Sequence, residues 1–366
     1  MGDVIHGLPA AAALRAWFPG IELGWVIERR WADLLGSATP AINGEAPATA
    51  RSARQPLVDR IHLADTFTWR KHPLAPETRR EFSRLLGNLR RLHYDAAVDL
   101  QGSWKSAVLA GLSGARLKLG FRSPREAGAG IFYNRKIAAA GRHVIEQNLS
   151  LAAGLARSLP VDPGLIAQTM AAPPRVVLPE RAEDERWVTA ELAHHDLAGR
   201  PLAVINPGAG WGAKCWPAER FGQVARALAE WGLSSLINFG PNEQALAQTV
   251  EQTAAGAASP VSCTIGQLIA LLRRAGLFVG GDTGPLHLAA ALGVPVVALF
   301  GPTDPARNGP FAAPAVILRH ASSLTDHARR AATEAGLLAI GVDEVVAAAR
   351  HLLEGGNGIG QGGMVV

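Results

Sequence analysis

Cysteine, tyrosine and charge are all scarce in this 366-residue sequence, and no long apolar run occurs. The two cysteines, Cys215 and Cys263, lie far apart and outside any C-x-x-C pattern, which argues against a disulfide framework and against a zinc site. No run approaches the roughly eighteen apolar residues that a membrane-spanning helix needs, and the first residues do not resemble a signal peptide. These absences favour a globular enzyme or binding protein of a reducing, cytoplasmic compartment.

The length and the charge distribution both indicate two domains. At about 100 to 200 residues per domain, the chain is too long for a single compact core. Residues 1–160 contain 22 Lys and Arg against 13 Asp and Glu, a net charge of +9, whereas residues 161–366 contain 14 against 18, a net charge of −4. The halves are therefore expected to bind different partners, and the basic half suits nucleic acid, an anionic membrane surface or a multiply anionic small acceptor.

Helical and strand patterns alternate along both halves, which predicts parallel sheets covered by helices. We expect a domain with a parallel sheet at residues 1–160, a proline-rich linker at 161–180, a Rossmann-like domain at 181–354 and a disordered tail at 355–366. Residues 36–56, rich in Ala, Pro, Ser and Thr, predict a mobile loop. The helix that begins near Asp3 has no strand before it, so the first strand-helix-strand unit lacks its first strand.

The strongest local motif covers residues 280–287, between a predicted strand and a predicted helix. Its glycines let a ligand approach the backbone, Pro285 suits a first helical turn, and free N–H groups at a helix start bind phosphate. Alternatively, Asp282 or Thr283 serves only to cap the helix.

A second glycine-rich loop, residues 206–217, also follows a predicted strand. Its single lysine, Lys214, is placed to neutralise phosphate, although an isolated lysine is more often a solvated surface residue. The loop does not have the P-loop spacing, and no G-x-G-x-x-G with an acidic partner occurs, so an ATPase and an NAD-linked oxidoreductase are disfavoured.

Asp3 and the basic residues of the first half are the remaining candidates. Asp3 is either an N-cap or a carboxylate able to take a proton from an acceptor hydroxyl. The basic runs at residues 70–91 and 116–136 are either solvated helix faces or, because aromatic residues are not interleaved with them, a surface for carboxylates or phosphates rather than for single-stranded nucleic acid. The histidines lack metal-ligand spacing, so no metal site is predicted.

Several motifs occur in a fixed order along the chain: residues 2–9, 99–102 with Lys105, 132–136, 206–217, 281–287 and 301–305. Together they resemble the ADP-heptose lipopolysaccharide heptosyltransferases of glycosyltransferase family 9, from residue 2 to about residue 353. Residues 25–28 and 132–136 resemble the type I rather than the type II enzymes.

The resemblance implies a GT-B architecture, in which two Rossmann-like domains face each other across a cleft. The first domain would bind the acceptor and the second the ADP-sugar donor. Such enzymes transfer L-glycero-D-manno-heptose from ADP-heptose to the Kdo of Kdo-lipid A, with inversion and without a metal or other cofactor. The implied setting is peripheral, on the cytoplasmic face of the inner membrane, with no nucleic-acid partner.

The resemblance also implies roles for individual residues. Asp3 would be the general base, and Lys214 would offset charge on the departing diphosphate. Glu243 would bind ribose hydroxyls, and Cys263 would lie near the adenine or be a small core residue. The other implied contacts are Gly210, Asp282, Thr283, Gly284 and His287 for the donor, and Arg70, Lys71 and Arg125 for the acceptor.

Family members carry a strand before the Gly-Asp pair that is residues 2–3 here. We therefore expect Met1 to be an internal methionine of a longer protein. Two other functions stay open: a family 9 transferase with a different donor or acceptor, and a sugar-nucleotide-binding protein without turnover.

Overall fold

The computed structural model describes residues 1–36, 51–326, 328–355 and 364–365. The chain forms two compact units, with the boundary between Pro179 and Glu180. We call them the amino-terminal unit and the carboxyl-terminal unit. Within the described ranges, no helix combines the length and the apolar character needed to cross a bilayer.

The five strands described in the amino-terminal unit form two separate parallel sheets, one of two strands and one of three. The strands are β1 Gly24–Glu28, β2 Arg60–Ala64, β3 Ala96–Val98, β4 Leu117–Phe121 and β5 Arg135–Ile137. Trp25 lies opposite Ile61 in the first sheet, and Ala97 lies opposite Lys118 in the second. In the part of the chain that the structure describes, no strand pairs with both sheets. The expectation of a missing first strand stays a prediction.

The helices of this unit differ in how they are buried. They are α1 Gly2–Trp17, α2 Thr66–Lys71, α3 Pro76–Arg91, α4 Trp104–Leu112, α5 Val144–Ala156 and α6 Pro163–Ala171. Helix α1 is buried almost all round, as its alanine-rich sequence indicates. Helix α3 buries one apolar stripe, and its Leu85, Leu86 and Leu89 pack with Ala64 and Leu109.

Three segments predicted to be irregular either contain regular structure or are described only in part. Helix α6 lies inside the predicted linker at 161–180, because Pro163 occupies the first turn, where proline is tolerated, and Asp162 caps the helix. The predicted loop at 36–56 lies outside the described residues from 37 to 50, but residues 52 and 55 form a bridge that closes a turn. Residues 356–363 and 366 of the predicted disordered tail also lie outside the description. Residues 364–365 pair with a sheet edge, and the disorder of the tail stays a prediction.

The carboxyl-terminal unit contains one seven-stranded sheet in which every described pair is parallel. Its strands are β6 Leu202–Asn206, β7 Ser234–Asn238, β8 Ala258–Val261, β9 Leu277–Gly281, β10 Val296–Leu299, β11 Ala315–Leu318 and β12 Met364–Val365. Its helices are α7 Ala182–His194, α8 Ala218–Glu230, α9 Gln244–Ala254, α10 Ile265–Arg274, α11 Gly284–Leu292, α12 Pro305–Asn308, α13 Ala335–Ala339 and α14 Val342–Leu353.

The strand order β8-β7-β6-β9-β10-β11-β12 reverses direction between β6 and β9. From β6 the chain builds outward through β7 and β8, and from β9 it builds outward on the other side. In open parallel sheets, the loops after the two strands at this switch point diverge and leave a crevice that binds ligands. The two glycine-rich loops singled out in the sequence follow β6 and β9, so the topology brings both to this point.

Candidate functional site

Lys214 ties the two switch-point loops together. Its Nζ donates to Asp282 Oδ2 at 2.5 Å and to the Asp282 carbonyl oxygen at 3.1 Å, and it lies 4.5 Å from the centre of the Trp211 ring. Only 11% of the Lys214 side chain is exposed. The alternative of a solvated surface lysine is therefore wrong, because the loop folds its only cation inward onto a buried carboxylate.

The carboxylate of Asp282 also holds His287, whose Nε2 lies 3.0 Å from Asp282 Oδ1. Burial alone would raise the pKa of Asp282. His287 and then Lys214 lower that pKa by more, so it lies well below its usual range and the group stays ionised. The three side chains form a buried polar cluster with a fixed negative charge at its centre.

Helix α11 begins beside this cluster with a start that no side chain caps. Thr283 is the residue at the N-cap, yet its hydroxyl makes no cap hydrogen bond, and Asp282 points its carboxylate at Lys214 and His287 instead. The interpretation of these residues as mere caps is wrong for that reason. Among the described residues the buried Thr283 Oγ1 has no hydrogen-bond partner, and neither has the buried Trp211 Nε1. The N–H groups that open α11, including that of Gly284, are available to an anion.

A chain of side-chain hydrogen bonds crosses the carboxyl ends of β8, β7 and β6. The Cys263 thiol donates to Asn238 Oδ1 at 3.2 Å, Asn238 Nδ2 donates to Asn206 Oδ1 at 2.6 Å, and Asn206 Nδ2 donates to the Gly208 carbonyl at 3.0 Å. Burial raises the pKa of Cys263 to about 12, so the thiol keeps the proton that it donates. This chain fixes the first residues of the loop that carries Lys214.

Glu243 lies against the same loop. Its carboxylate accepts the Gly240 N–H at 2.8 Å and occupies the space that a side chain at Gly208 would need. Gly210 has open space where a side chain would be. Burial, with a smaller contribution from Glu243, raises the pKa of the nearby Cys215 thiol.

Residues 328–334, which we call the strap, hold the other end of the loop. The Ala213 N–H donates to the Arg330 carbonyl at 3.0 Å, and Thr333 Oγ1 donates to the Cys215 carbonyl at 2.9 Å. The Ala331 carbonyl fills the position that a side chain at Gly212 would take, so only glycine fits there. Lys214 is therefore held by backbone contacts as well as by Asp282.

In the amino-terminal unit, Asp3 pairs with Arg125 at 3.6 Å, and the two side chains are 57% and 66% exposed. Asp3 lies in the first turn of α1, whose N-cap is Met1, so the N-cap interpretation is wrong. Asp99 organises the neighbouring loop by accepting hydrogen bonds from the Gly102 N–H at 3.1 Å and the Tyr133 hydroxyl at 2.6 Å.

Gly102 has a φ of +64° and leaves no room for a side chain beside the Arg125 backbone N–H. The Asp99 loop therefore sets the backbone position of Arg125. The other two predicted acceptor residues, Arg70 and Lys71, form the last turn of α2, where Lys71 Nζ lies 4.3 Å from the centre of the Phe67 ring.

The structure thus groups the predicted donor residues in two places, with Lys214, Asp282, Thr283, Gly284 and His287 around the start of α11 and Glu243 beside Gly208. Sequence reasoning missed the roles of Trp211, Asn206, Asn238 and Tyr133. One signal was visible for the asparagines: the pattern Ile-Asn-x-Gly occurs at residues 205–208 and again at 237–240, each time at the end of a strand.

The model of glycosyltransferase family 9 (heptosyltransferase) matches residues 82–336. The chain is 31% identical over 317 residues to lipopolysaccharide heptosyltransferase 1 of Pseudomonas aeruginosa, covering 85% of this chain and 79% of that protein. The chain belongs to glycosyltransferase family 9. The lipopolysaccharide heptosyltransferase 1 of Escherichia coli is 28% identical over 321 residues, covering 85% of this chain and 88% of that one.

Two solved structures extend the comparison. The E. coli heptosyltransferase WaaC with ADP is 27% identical, with a TM-score of 0.65 over 87% of this chain and 89% of that one. A family 9 glycosyl transferase from Veillonella parvula is 22% identical, with a TM-score of 0.74 over 97% and 95%, and shows the fold alone. The predictions of the α/β class, the GT-B architecture and glycosyltransferase activity are confirmed.

Proposed function

We propose that this family 9 enzyme transfers L-glycero-D-manno-heptose from ADP-heptose to the Kdo of Kdo-lipid A, in the inner core of lipopolysaccharide. The observation that carries the proposal is the Lys214–Asp282–His287 cluster beside the uncapped start of α11, because it offers a cation and free N–H groups to a diphosphate at the switch point. The Pseudomonas relative is named as a lipopolysaccharide heptosyltransferase, which supports transfer of heptose to lipopolysaccharide. The E. coli heptosyltransferase structure is named as holding ADP, which supports an ADP-linked donor.

On the donor side, Lys214 neutralises the diphosphate as it leaves. Its ammonium has three protons, and Asp282 accepts two of them, so one is left for a phosphate oxygen. The N–H groups of Thr283 and Gly284, with the unused Thr283 hydroxyl, bind the other phosphate oxygens. His287 and Asp282 bind the heptose end, Glu243 binds the ribose, and Gly210 leaves the loop open to the ligand.

On the acceptor side, Asp3 takes the proton from the attacking Kdo hydroxyl. The hydroxyl oxygen forms a bond to the anomeric carbon on the face opposite the diphosphate. The bond from that carbon to the diphosphate oxygen breaks, ADP leaves, and the configuration is inverted. Arg125, Arg70 and Lys71 bind the acceptor's carboxylates and phosphates.

In this scheme the diphosphate charge is met by Lys214 and helix N–H groups, so the reaction proceeds without a metal or other cofactor. Because the acceptor is a membrane lipid, we propose that the enzyme works as a peripheral protein on the cytoplasmic face of the inner membrane. Nucleic acid has no place in this scheme.

The test is incubation of the full chain with ADP-heptose and Kdo-lipid A in EDTA, with mass spectrometry of the lipid and measurement of ADP release. We expect a lipid heavier by one heptosyl unit and one ADP per transfer. Transfer only from another nucleotide sugar, or only to another acceptor, would replace the proposed substrates. Binding of ADP-heptose by calorimetry without transfer would instead indicate a sugar-nucleotide-binding protein.

A further inference from the structure

Helix α2 and its connection to α3 expose apolar side chains that contribute nothing to the core. Leu74 is 82% exposed, Phe67 is 42% exposed, and α2 has no buried residue at all. We call residues 66–84 the α2–α3 hairpin. Single exposed apolar residues are ordinary, but Leu74 and Phe67 are two large ones on a short hairpin whose first helix buries no residue, and we call these two side chains the apolar tip.

The same hairpin is rich in positive charge. The hairpin contains five Arg and Lys residues against two glutamates. Lys71 Nζ lies 4.3 Å and Arg30 Cζ lies 5.5 Å from the centre of the Phe67 ring. Arg79 and Arg80, in the first turns of α3, are exposed as well. Exposed apolar side chains on the same hairpin as exposed cations match a bilayer that presents anionic headgroups above acyl chains.

We propose that the α2–α3 hairpin is the surface by which the protein docks on an anionic lipid bilayer. Leu74 and Phe67 enter the boundary between headgroups and acyl chains, and Arg79 and Arg80 bind lipid phosphates. The inference rests on the proposed function only in that the acceptor there is a membrane lipid. Vesicle binding itself requires neither donor nor acceptor.

The experiment is flotation of the full chain with vesicles of phosphatidylglycerol and phosphatidylethanolamine, and with vesicles of phosphatidylcholine alone, none of which contains lipid A. We expect binding to the anionic vesicles only. Leu74→Glu should weaken it by about tenfold, because the leucine that enters the bilayer is replaced by a charge that anionic lipids repel. Arg79→Ala with Arg80→Ala should weaken it by at least tenfold, at about 1 kcal/mol per cation.

Leu324→Glu is the matched control, because Leu324 is 78% exposed but belongs to the carboxyl-terminal unit. It should bind anionic vesicles like the parent, and the melting temperature of Leu74→Glu should equal that of the parent. Transfer to a soluble acceptor lacking acyl chains should be unchanged in Leu74→Glu, which separates docking from catalysis.

Three results would overturn the proposal: no binding of the parent to anionic vesicles, equal weakening by Leu74→Glu and Leu324→Glu, or binding of single-stranded RNA in place of vesicles. None of these bears on heptosyl transfer, so they leave the proposed function standing. Absence of transfer by a protein that still binds vesicles would reject the proposed function and keep the docking surface.

Discussion

The two units build their sheets in different ways. The carboxyl-terminal unit has one continuous sheet, and β6, β9, β10 and β11 are buried along their whole length. The amino-terminal unit has two separate sheets, and β3 has no fully buried residue. The candidate groups follow the same division, because Lys214 and Asp282 are buried whereas Asp3 and Arg125 are exposed.

This difference indicates two ways of presenting charge. In the carboxyl-terminal unit, Lys214 is held in place by the Asp282 carboxylate, by the strap and by the hydrogen-bonded chain even without a ligand. Ligand binding therefore has little side-chain entropy to remove. In the amino-terminal unit the carboxylate and its arginine are in contact with solvent, where an ion pair is weak and easily exchanged for an acceptor's own charges.

The largest expected effect comes from removing the buried cation. Lys214→Ala should lower kcat/KM by about 10² to 10³ and weaken ADP binding by about tenfold, because the diphosphate loses its main counter-charge. Steady-state kinetics and calorimetry measure the two. Arg226→Ala removes an exposed cation from α8 of the same unit and should change neither. Equal effects of the two substitutions would mean that burial of the cation is irrelevant to the donor.

Removing the exposed carboxylate should affect rate alone. Asp3→Ala should lower kcat by about 10² or more while the Kd for ADP stays the same, as expected for a general base. Asp3→Asn should lower kcat to the same extent, because asparagine has the size of aspartate but cannot accept the proton. Asp95→Ala, which removes an exposed carboxylate just before β3, is the matched control. Full activity in Asp3→Ala would exclude Asp3 from the mechanism.

Mild acid should lower the free energy of unfolding through a group in the amino-terminal unit and not through the Asp282 cluster. Burial, assisted by Arg60 and opposed by Glu22, lowers the pKa of His62 in β2 from 6.5 to about 4. Between these pH values the unfolded chain binds a proton that the folded chain does not, so stability falls as the pH drops from about 6.5 to about 4. The loss is about 2 to 3 kcal/mol. In the carboxyl-terminal unit, Asp282 keeps its negative charge over this pH range and becomes protonated only at a lower pH, because its pKa is lowered.

Urea unfolding at pH 7 and pH 4.5 measures this loss. His62→Gln should reduce the pH dependence, and His351→Gln, at an exposed histidine of α14, should leave it as in the parent. An identical pH dependence in the parent and His62→Gln would contradict the assignment.

The smallest effect concerns the hydrogen-bonded chain beneath the donor loop. Cys263→Ala should weaken ADP binding by about fivefold, near the 1 kcal/mol of a single hydrogen bond, while Cys263→Ser should retain most of the affinity because it can still donate. Ser235→Ala, at the other end of β7, is the control, since the Ser235 hydroxyl has no partner among the described residues. Equal affinity in the alanine and serine variants would show that the chain does not position the loop.

The site in the carboxyl-terminal unit was the more predictable from sequence. Residues 206–217 and 280–287 each lie between a strand and a helix, as apolar runs followed by glycine predict, and switch-point topology then brings them together. The contact of Lys214 with Asp282, 68 residues apart, depends on strand order and on the strap, which local patterns do not encode. The pairing of Asp3 with Arg125 depends on the backbone geometry at Gly102, and the division of the amino-terminal unit into two sheets depends on long-range strand pairing. Neither could be predicted from local sequence patterns.

The raised pKa values of Cys215 and Cys263 have a chemical consequence for the living cell. Peroxides and alkylating agents attack thiolates, and these two sulfur atoms, the only cysteine sulfurs in the chain, remain protonated at neutral pH. Both sulfur atoms lie close to the candidate site, and as protonated thiols they are poor targets for such reagents.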